Sequence, residues 1–227
     1  MYSPMPRYGH TITAINNTHL LLFGGVSEYK EKLKDRCFYA DVWAYNIQKN
    51  IWRIMEFVGG PVRNRRGHAA CVYKGMYYLV HGGIDDGEEV IDELAWANLS
   101  TGLPTSSSLN EDSNKEGLLN NNSCKNRWKI KKLDARYNHK MIISQTNTRD
   151  YLAIFGGRNS QSDIIGEFTL IPISVYEGEL VFREPKKVNY NFSSPFLSQR
   201  ANNLLQSSIC PIHSFNSQSQ TNVIKPR

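Results

Sequence analysis

The stretch RRGHAACVYKGMYYLVHGG, residues 65–83, decides the fold because its pattern occurs three times in the chain. Residues 7–25 read RYGHTITAINNTHLLLFGG, and residues 136–157 read RYNHKMIISQTNTRDYLAIFGG. Each copy opens on Arg-x-[Gly/Asn]-His and closes on an apolar run followed by Gly-Gly. His10 precedes Gly24 by 14 residues and His68 precedes Gly82 by 14. His139 precedes Gly156 by 17, the extra residues falling in the polar turn around Thr146 to Asp150. Repetition at a fixed spacing marks a modular fold, in which one unit cannot cover its own apolar surface and its neighbours must do so.

Outward from this core, each copy continues with an acidic residue that opens another strand-like run. Asp41 opens DVWAYNI, Glu93 opens ELAWANL and Glu167 opens EFTLIPI. Two copies then reach Asn-x-Trp, at Asn50-Ile-Trp52 and Asn126-Arg-Trp128, while the third has Phe182 in ELVFRE. Each unit therefore reads as four short strands. The first runs HTITAI, LLLF, DVWAYNI, IWRIME; the second HAACVY, MYYLVH, ELAWANL, RWKIKKL; the third HKMIIS, YLAIF, EFTLIPI, ELVFRE. β-Branched and aromatic residues fill the runs, and Gly, Asn and Asp punctuate them. The second run of each unit is continuously apolar, as suits a strand buried on both faces. Gly-Gly permits positive φ and a tight exit where units crowd together. A tryptophan on the fourth strand is a large apolar plate suited to packing between neighbours.

This order of motifs resembles the kelch repeat, a blade of a β-propeller, over roughly residues 4–184. The resemblance implies an all-β, kelch-type β-propeller with three recognisable four-stranded blades. Their bounds are about 4–56, 61–133 and 134–184, within a propeller region 1–188. The style of the repeats is similar to kelch proteins of scaffolding, polarity and trafficking. In the first blade Arg7, His10, Gly24, Gly25, Asp41 and Trp52 take structural kelch positions. His68, Gly82, Gly83, Glu93 and Trp128 do so in the second, and Arg136, His139, Gly156, Gly157 and Glu167 in the third.

Composition bounds the alternatives. The chain has 227 residues, 40 % hydrophobic and 21 % charged, enough for a sizeable core. A net charge of +6 is too mild to argue for nucleic acid. No run of about 18 apolar residues exists to span a membrane, and MYSPMPRYGH lacks a signal-peptide core. Cys37, Cys71, Cys124 and Cys210 are widely separated, with no Cys-x-x-Cys pair. Neither a zinc site nor a disulfide scaffold is indicated, and reduced thiols point to the cytoplasm, with the nucleus also compatible. His10, His68 and His139 are equivalent by repetition, which equivalent packing explains without a metal. No catalytic motif and no cofactor motif occurs.

Insertions and links carry the candidate site. The segment 101–126 is rich in Ser, Asn and Gly and reads as a disordered low-complexity insertion, and 189–227 reads as a poorly ordered Ser/Asn/Gln-rich tail. The charged segment 26–40 could form one helical turn. Strand direction sends loops 26–40, 84–92 and 158–166 to one end of the blades, together with links 57–67 and 134–138. That face carries Lys30, Lys32, Lys34, Arg36, Arg63, Arg65 and Arg66 against Asp85, Asp86, Glu88 and Glu89. The repeated arginines Arg7, Arg66 and Arg136 are expected to pair with the chain's own acids, such as Asp41, Glu93 or Glu167. The register leaves open which of Arg65 and Arg66 is the repeated one. Arg63, Arg65, Arg66, Asp85, Asp86 and Glu88 are the candidate partner-binding residues. Lys129 and Lys131, alternating with Ile130 on an outermost strand, read as guards against edge pairing.

The function expected is a non-catalytic protein–protein interaction scaffold whose loop face holds a protein partner. One alternative is a regulatory or substrate-recruiting kelch region of a larger protein, such as a kelch-bearing phosphatase or a ubiquitin-ligase adaptor. A further one is a kelch-fold carbohydrate-active or metal enzyme. Propellers close with about four to eight blades, so three are too few. The chain is expected to be a fragment or truncated gene model, or to self-associate and so cover its open blade faces.

Overall fold

The computed structural model describes residues 3–28, 36–58, 62–99 and 126–189. Among these the chain forms 16 strands and no helix. The insertion 101–126 lies outside the described residues except for Asn126. Residues 190–227 of the tail and Lys30, Lys32 and Lys34 lie outside them altogether.

The first sheet, blade 1, contains β1 (Thr11–Ala14), β2 (His19–Phe23), β5 (Val42–Asn46) and β6 (Ile51–Met55), in that order. Between β2 and β5, β3 (Val26–Glu28) and β4 (Arg36–Phe38) pair as a separate two-stranded sheet. The helical turn expected in 26–40 is not found at 26–28 or 36–38, which are strands, and residues 29–35 lie outside the described residues. Blade 2 has β8 (Ala69–Tyr73), β9 (Tyr77–His81), β10 (Glu93–Asn98) and β11 (Asn126–Lys132), with β7 (Phe57–Val58) parallel to β11 on its outer edge. Blade 3 has β12 (Lys140–Gln145), β13 (Asp150–Phe155), β14 (Glu167–Tyr176) and β15 (Glu179–Phe182). β16 (Lys186–Asn189) pairs with the other half of β14, so the fourth strand of blade 3 is made in two pieces. The sheet therefore runs past Glu184 and takes in the first residue of the expected tail.

Tight turns fix the registers. Lys74 and Gly75 between β8 and β9 both have positive φ (51° and 67°), as do Glu177 and Gly178 between β14 and β15 (48° and 76°). Two consecutive left-handed residues match the twist of the strands they join.

Side chains alternate along a strand, and this alternation places the core. On β9, Tyr78 and Val80 join a cluster with Leu21, Phe23, Val42 and Ala44 of blade 1. Tyr77 and Leu79 join a second cluster with Met141, Leu152, Ile154 and Ile171 of blade 3. Every residue of β9 is buried for this reason. Trp128 fills the junction of blades 1 and 2, stacking on Phe57 at 4.7 Å and reaching Phe23 and Tyr78 at 6.2 Å. Asn126 donates to the Glu56 carbonyl at 3.4 Å and ties β7 to this edge. At the outer ends of the row, apolar side chains remain exposed: Ile12 and Ile54 on blade 1, and Ile142 and Phe155 on blade 3. Among the described residues the three sheets form an open row.

Candidate protein-interaction face

Each blade ends its second strand in Gly-Gly, and the two glycines have different neighbours. The second faces its own blade: a Cβ on Gly25 would lie 2.9 Å from His10 Cβ. The first faces the next blade: a Cβ on Gly24 would lie 2.8 Å from the Arg65 carbonyl oxygen and 2.9 Å from His68 Cε1. A Cβ on Gly82 would fall onto the Arg136 carbonyl. The close approach allows the Gly25 amide to donate to the Arg65 carbonyl (2.8 Å) and the Gly83 amide to the Arg136 carbonyl (2.9 Å). A parallel ladder runs through the third residue of each Arg-x-[Gly/Asn]-His. Gly67 donates to Gly9 (2.9 Å), and Asn138 donates to Gly67 (2.7 Å).

The repeated arginines lie under this seam. Arg7 makes a bidentate pair with Asp41 at 2.5 and 3.0 Å and lies over the Tyr39 ring at 3.8 Å. Arg65 is fully buried and reaches Glu93 at 2.9 Å, the Gly82 carbonyl at 3.0 Å and the Arg63 carbonyl at 2.9 Å. Burial pushes its guanidinium pKa down, and Glu93 opposes the shift. Arg136, also buried, contacts Glu167 at 3.5 Å and Asp134 at 3.6 Å. Lys187 of β16 binds the same two acids, at 3.2 and 2.5 Å. Arg65, not Arg66, is therefore the register equivalent of Arg7 and Arg136. Counted among the partner-binding candidates, Arg65 is removed from the surface, because the acid that opens the third strand holds it inside.

The histidines pack at the same junctions. His68 meets Thr11 Oγ1 at 2.9 Å and lies edge-on to Phe23, with ring centroids 5.1 Å apart. His139 meets His81 at 2.9 Å, with centroids 4.8 Å apart and rings at 73°. Burial, with nearby arginine charge, lowers the pKa of each, that of His139 to about 3. These rings are neutral at ordinary pH and act as packing groups. Among the described residues no group of three or more His, Cys, Asp or Glu could hold a metal ion.

Above the seam lies the charged face. Arg63 bonds Asp85 at 3.0 Å and approaches Glu89 and Glu93 at 3.4 Å. Arg66 bonds Glu88 at 3.0 Å, and Arg36 approaches the same carboxylate at 3.5 Å. Asn64 donates to Asp86 at 3.2 Å. Asp85 is itself buried, its carboxylate accepting the Gly87 and Glu89 amides at 3.1 and 2.9 Å, so it shapes the turn from within. Asn159 does the same in blade 3 for the Gln161 and Asp163 amides, at 3.0 and 2.9 Å. Arg63, Arg66, Asp86 and Glu88 thus come together near the surface, while Arg65 and Asp85 support them from below.

The rim also contains Tyr8, which donates to Glu28 at 2.8 Å, and Glu28 in turn approaches Arg36 at 3.6 Å. Sequence reading did not single out Tyr8 or Glu28. Tyr8 is the middle residue of Arg7-Tyr8-Gly9, where Arg66 and Tyr137 stand in the other copies, and that equivalence was the available signal. Between blades 2 and 3 a cavity of about 370 Å³ is lined by Arg136, Lys131, Lys132 and Lys187 among others. Its fourth cation comes from β16, which carries no repeat motif.

Residues 2–110 match the family described as the KLHDC2/KLHL20/DRC7 Kelch-repeats domain. The chain is 31 % identical over 104 residues to Adagio protein 3 of Arabidopsis thaliana, covering 45 % of this chain and 16 % of that protein. It is 36 % identical over 84 residues to Kelch domain-containing protein 1 of Mus musculus, covering 37 % and 19 %. It is 35 % identical over 85 residues to tRNA wybutosine-synthesizing protein 2/3/4 of Oryza sativa subsp. japonica, covering 37 % and 8 %. The chain thus spans less than a fifth of the length of these relatives. Kelch repeats support protein interaction in general and are generally non-catalytic, although one relative carries an enzyme's name. Residues 2–110 thus match a kelch-repeat family model, and the three Arg-x-[Gly/Asn]-His and Gly-Gly units built into three antiparallel sheets have the fold of kelch-type β-propeller blades.

Proposed function

We propose that the chain is a non-catalytic protein-binding module that engages a protein partner through the charged rim at the Gly-Gly end of its blades. One observation carries this reading. Arg36, Arg66 and Glu88 share an ion-pair cluster whose side chains are 50 %, 27 % and 57 % exposed, held above a buried arginine–glutamate layer. Exposed ion pairs contribute little to folding, about 0–1 kcal/mol each. They can therefore be exchanged for a partner's charges at small cost, while the layer below keeps their positions fixed. The test is affinity capture followed by mass spectrometry with wild type and Arg36→Glu/Arg66→Glu. Loss of a defined set of partners from the doubly reversed protein supports the rim; identical partner lists reject it.

A second reading, that the chain serves as the recruiting region of a larger protein, is favoured by the small share of each relative that it spans. An immunoblot of native extract distinguishes the two, since a band well above 26.0 kDa is required by this reading. The exposed Cys37 thiol and buried Cys71 thiol, both unpaired in disulfides, fit a reducing compartment, the cytoplasm or nucleus, which imaging of a tagged chain checks.

A further inference from the structure

We propose that the cavity between blades 2 and 3 binds a phosphate monoester, whose oxygens are taken up by Arg136, Lys131 and Lys187. The three repeated arginines are unequally satisfied. Nε of Arg7 donates to the Met5 carbonyl at 3.1 Å and Nε of Arg65 to the Arg63 carbonyl at 2.9 Å, in each case two residues back. Nε of Arg136 is buried and has no hydrogen-bond partner among the described residues. Its other contacts are looser too. Arg7 and Arg65 reach the Gly24 and Gly82 carbonyls at 3.1 and 3.0 Å, and Arg136 reaches that of Gly156 at 3.4 Å. Arg65 meets Glu93 at 2.9 Å, whereas Arg136 meets Glu167 at 3.5 Å and shares it with Lys187, at 3.2 Å. A guanidinium only 1 % exposed thus keeps an unused donor, and an unmade hydrogen bond at a buried charge is costly.

Beside this donor lies open volume. The cavity of about 370 Å³, the space of roughly a dozen waters, has Arg136 and Thr169 in its lining together with Lys131 and Lys187. Strand register turns both lysines towards it. Lys131 pairs with Leu94 and so shares the face of blade 2 that packs on blade 3. Lys187 pairs with Thr169, and Thr169 with Ile154, on the face of blade 3 turned towards blade 2. Lys131 is half-buried and has no ion-pair partner among the described residues.

The arrangement selects the ligand. The donors come from three separate elements, the link 134–138, β11 and β16. A tetrahedral phosphate presents oxygens in several directions and can meet all three, where a planar carboxylate satisfies one guanidinium edge. A phosphate monoester also carries about −1.5 to −2 charges at pH 7. Asp134 now stands in the position of such an anion, at 3.6 Å from Arg136 and 2.5 Å from Lys187, and its side chain is half-exposed. With Asp134 turned to solvent, an incoming phosphate takes over both contacts. It adds the two donors that have no partner, Nε of Arg136 and Nζ of Lys131. Glu167 stays behind Arg136 and Lys187, Asp92 stays on Lys132 at 3.1 Å, and Glu184 is the remaining acid of the lining. The site involves blades 2 and 3 and does not use the Arg36–Arg66–Glu88 cluster, so either reading can fail alone.

The test is isothermal titration calorimetry on the whole chain with glycerol 3-phosphate and with N-acetyl-phosphoserine methylamide, and with acetate as the planar anion. Saturable binding of a phosphate ester at millimolar concentration or below is expected, with acetate much weaker. Lys131→Gln and Lys187→Gln are expected to be folded by circular dichroism and to bind about tenfold more weakly, the worth of one charge-assisted hydrogen bond. Lys186→Gln, which removes the same charge from the opposite face of β16, is expected to bind as wild type, as is Arg36→Glu/Arg66→Glu. Tighter binding of the phosphoserine derivative supports the proposal with a phosphorylated protein as the source. Equal or tighter binding of glycerol 3-phosphate supports it with a free ester as the source. Absence of saturable binding by either ester leaves the cavity to water and overturns the proposal. Acetate binding as tight as phosphate, or Lys131→Gln and Lys187→Gln binding as wild type, overturns it as well.

Discussion

Mild acid is expected to destabilise this fold well above the pH at which its carboxylates protonate. His68, His81 and His139 are 5 %, 0 % and 3 % exposed, and burial holds all three in the neutral form. A histidine with a lowered folded pKa binds its proton in the unfolded chain first. Its contribution is complete above the unfolded pKa of 6.5 and is lost as pH falls from there towards the folded pKa, about 3 for His139. At pH 5.5, one unit below the unfolded value, each buried ring costs about 1.4 kcal/mol relative to pH 7.5, so three cost about 4 kcal/mol. That is a large part of the roughly 5–15 kcal/mol of a typical domain. The assay is urea unfolding followed by tryptophan fluorescence. With a slope of about 2 kcal/mol per molar, the midpoint should fall by about 2 M between pH 7.5 and pH 5.5. His81→Phe, which places in blade 2 the ring already present at Phe23 and Phe155, should remove about a third of that fall. A midpoint that moves by less than about 0.3 M, or a His81→Phe variant with an unchanged fall, would refute the burial argument.

Three further expectations follow from the junctions. Arg65→Met removes the buried guanidinium that binds Glu93 and the Gly82 and Arg63 carbonyls, leaving Glu93 only its longer contact with Arg63, and should cost about 3–5 kcal/mol, whereas Arg66→Met, whose partner Glu88 is largely exposed, should cost about 1 kcal/mol or less, both read from chemical unfolding. Gly82→Ala places a methyl group on the Arg136 carbonyl at positive φ and should lower the melting temperature far more than Gly178→Ala, which has positive φ but no heavy atom within 4 Å. In native protein, N-ethylmaleimide should modify the exposed Cys37 rapidly and spare Cys71, whose thiol burial pushes up to about 12; peptide mass mapping compares the two.

The order of strands was legible because each repeat states it in hydrophobic pattern and turn residues. The continuous apolar run YYLV predicts β9 buried on both faces, and blades 1 and 3 supply the two covering layers. Other features left no such trace. Phe57–Val58 is too short to read as a strand, and it becomes one because the edge of β11 offers free backbone partners and Trp128 offers a ring for Phe57. β16 follows Pro185 and has no motif, yet β14 at ten residues is longer than β15 can cover. The Arg65/Arg66 ambiguity could not be settled by counting, since both precede Gly67. Strand direction decides it, aiming one guanidinium at Glu93 inside and the other at Glu88 outside.

By itself the sequence determined that three units of four strands exist, which residues join them and where chain segments depart from the pattern. Those properties are local, set by side-chain alternation, by glycine's access to positive φ and by repetition. The tertiary structure decided what depends on distance through space: that Gly24 and Gly82, the first glycines of their pairs, pack on the next blade, and that Arg65 and Asp85 are interior supports. One blade's sequence cannot show what lies against it. The row of blades does, because the same contact is made at both of its junctions.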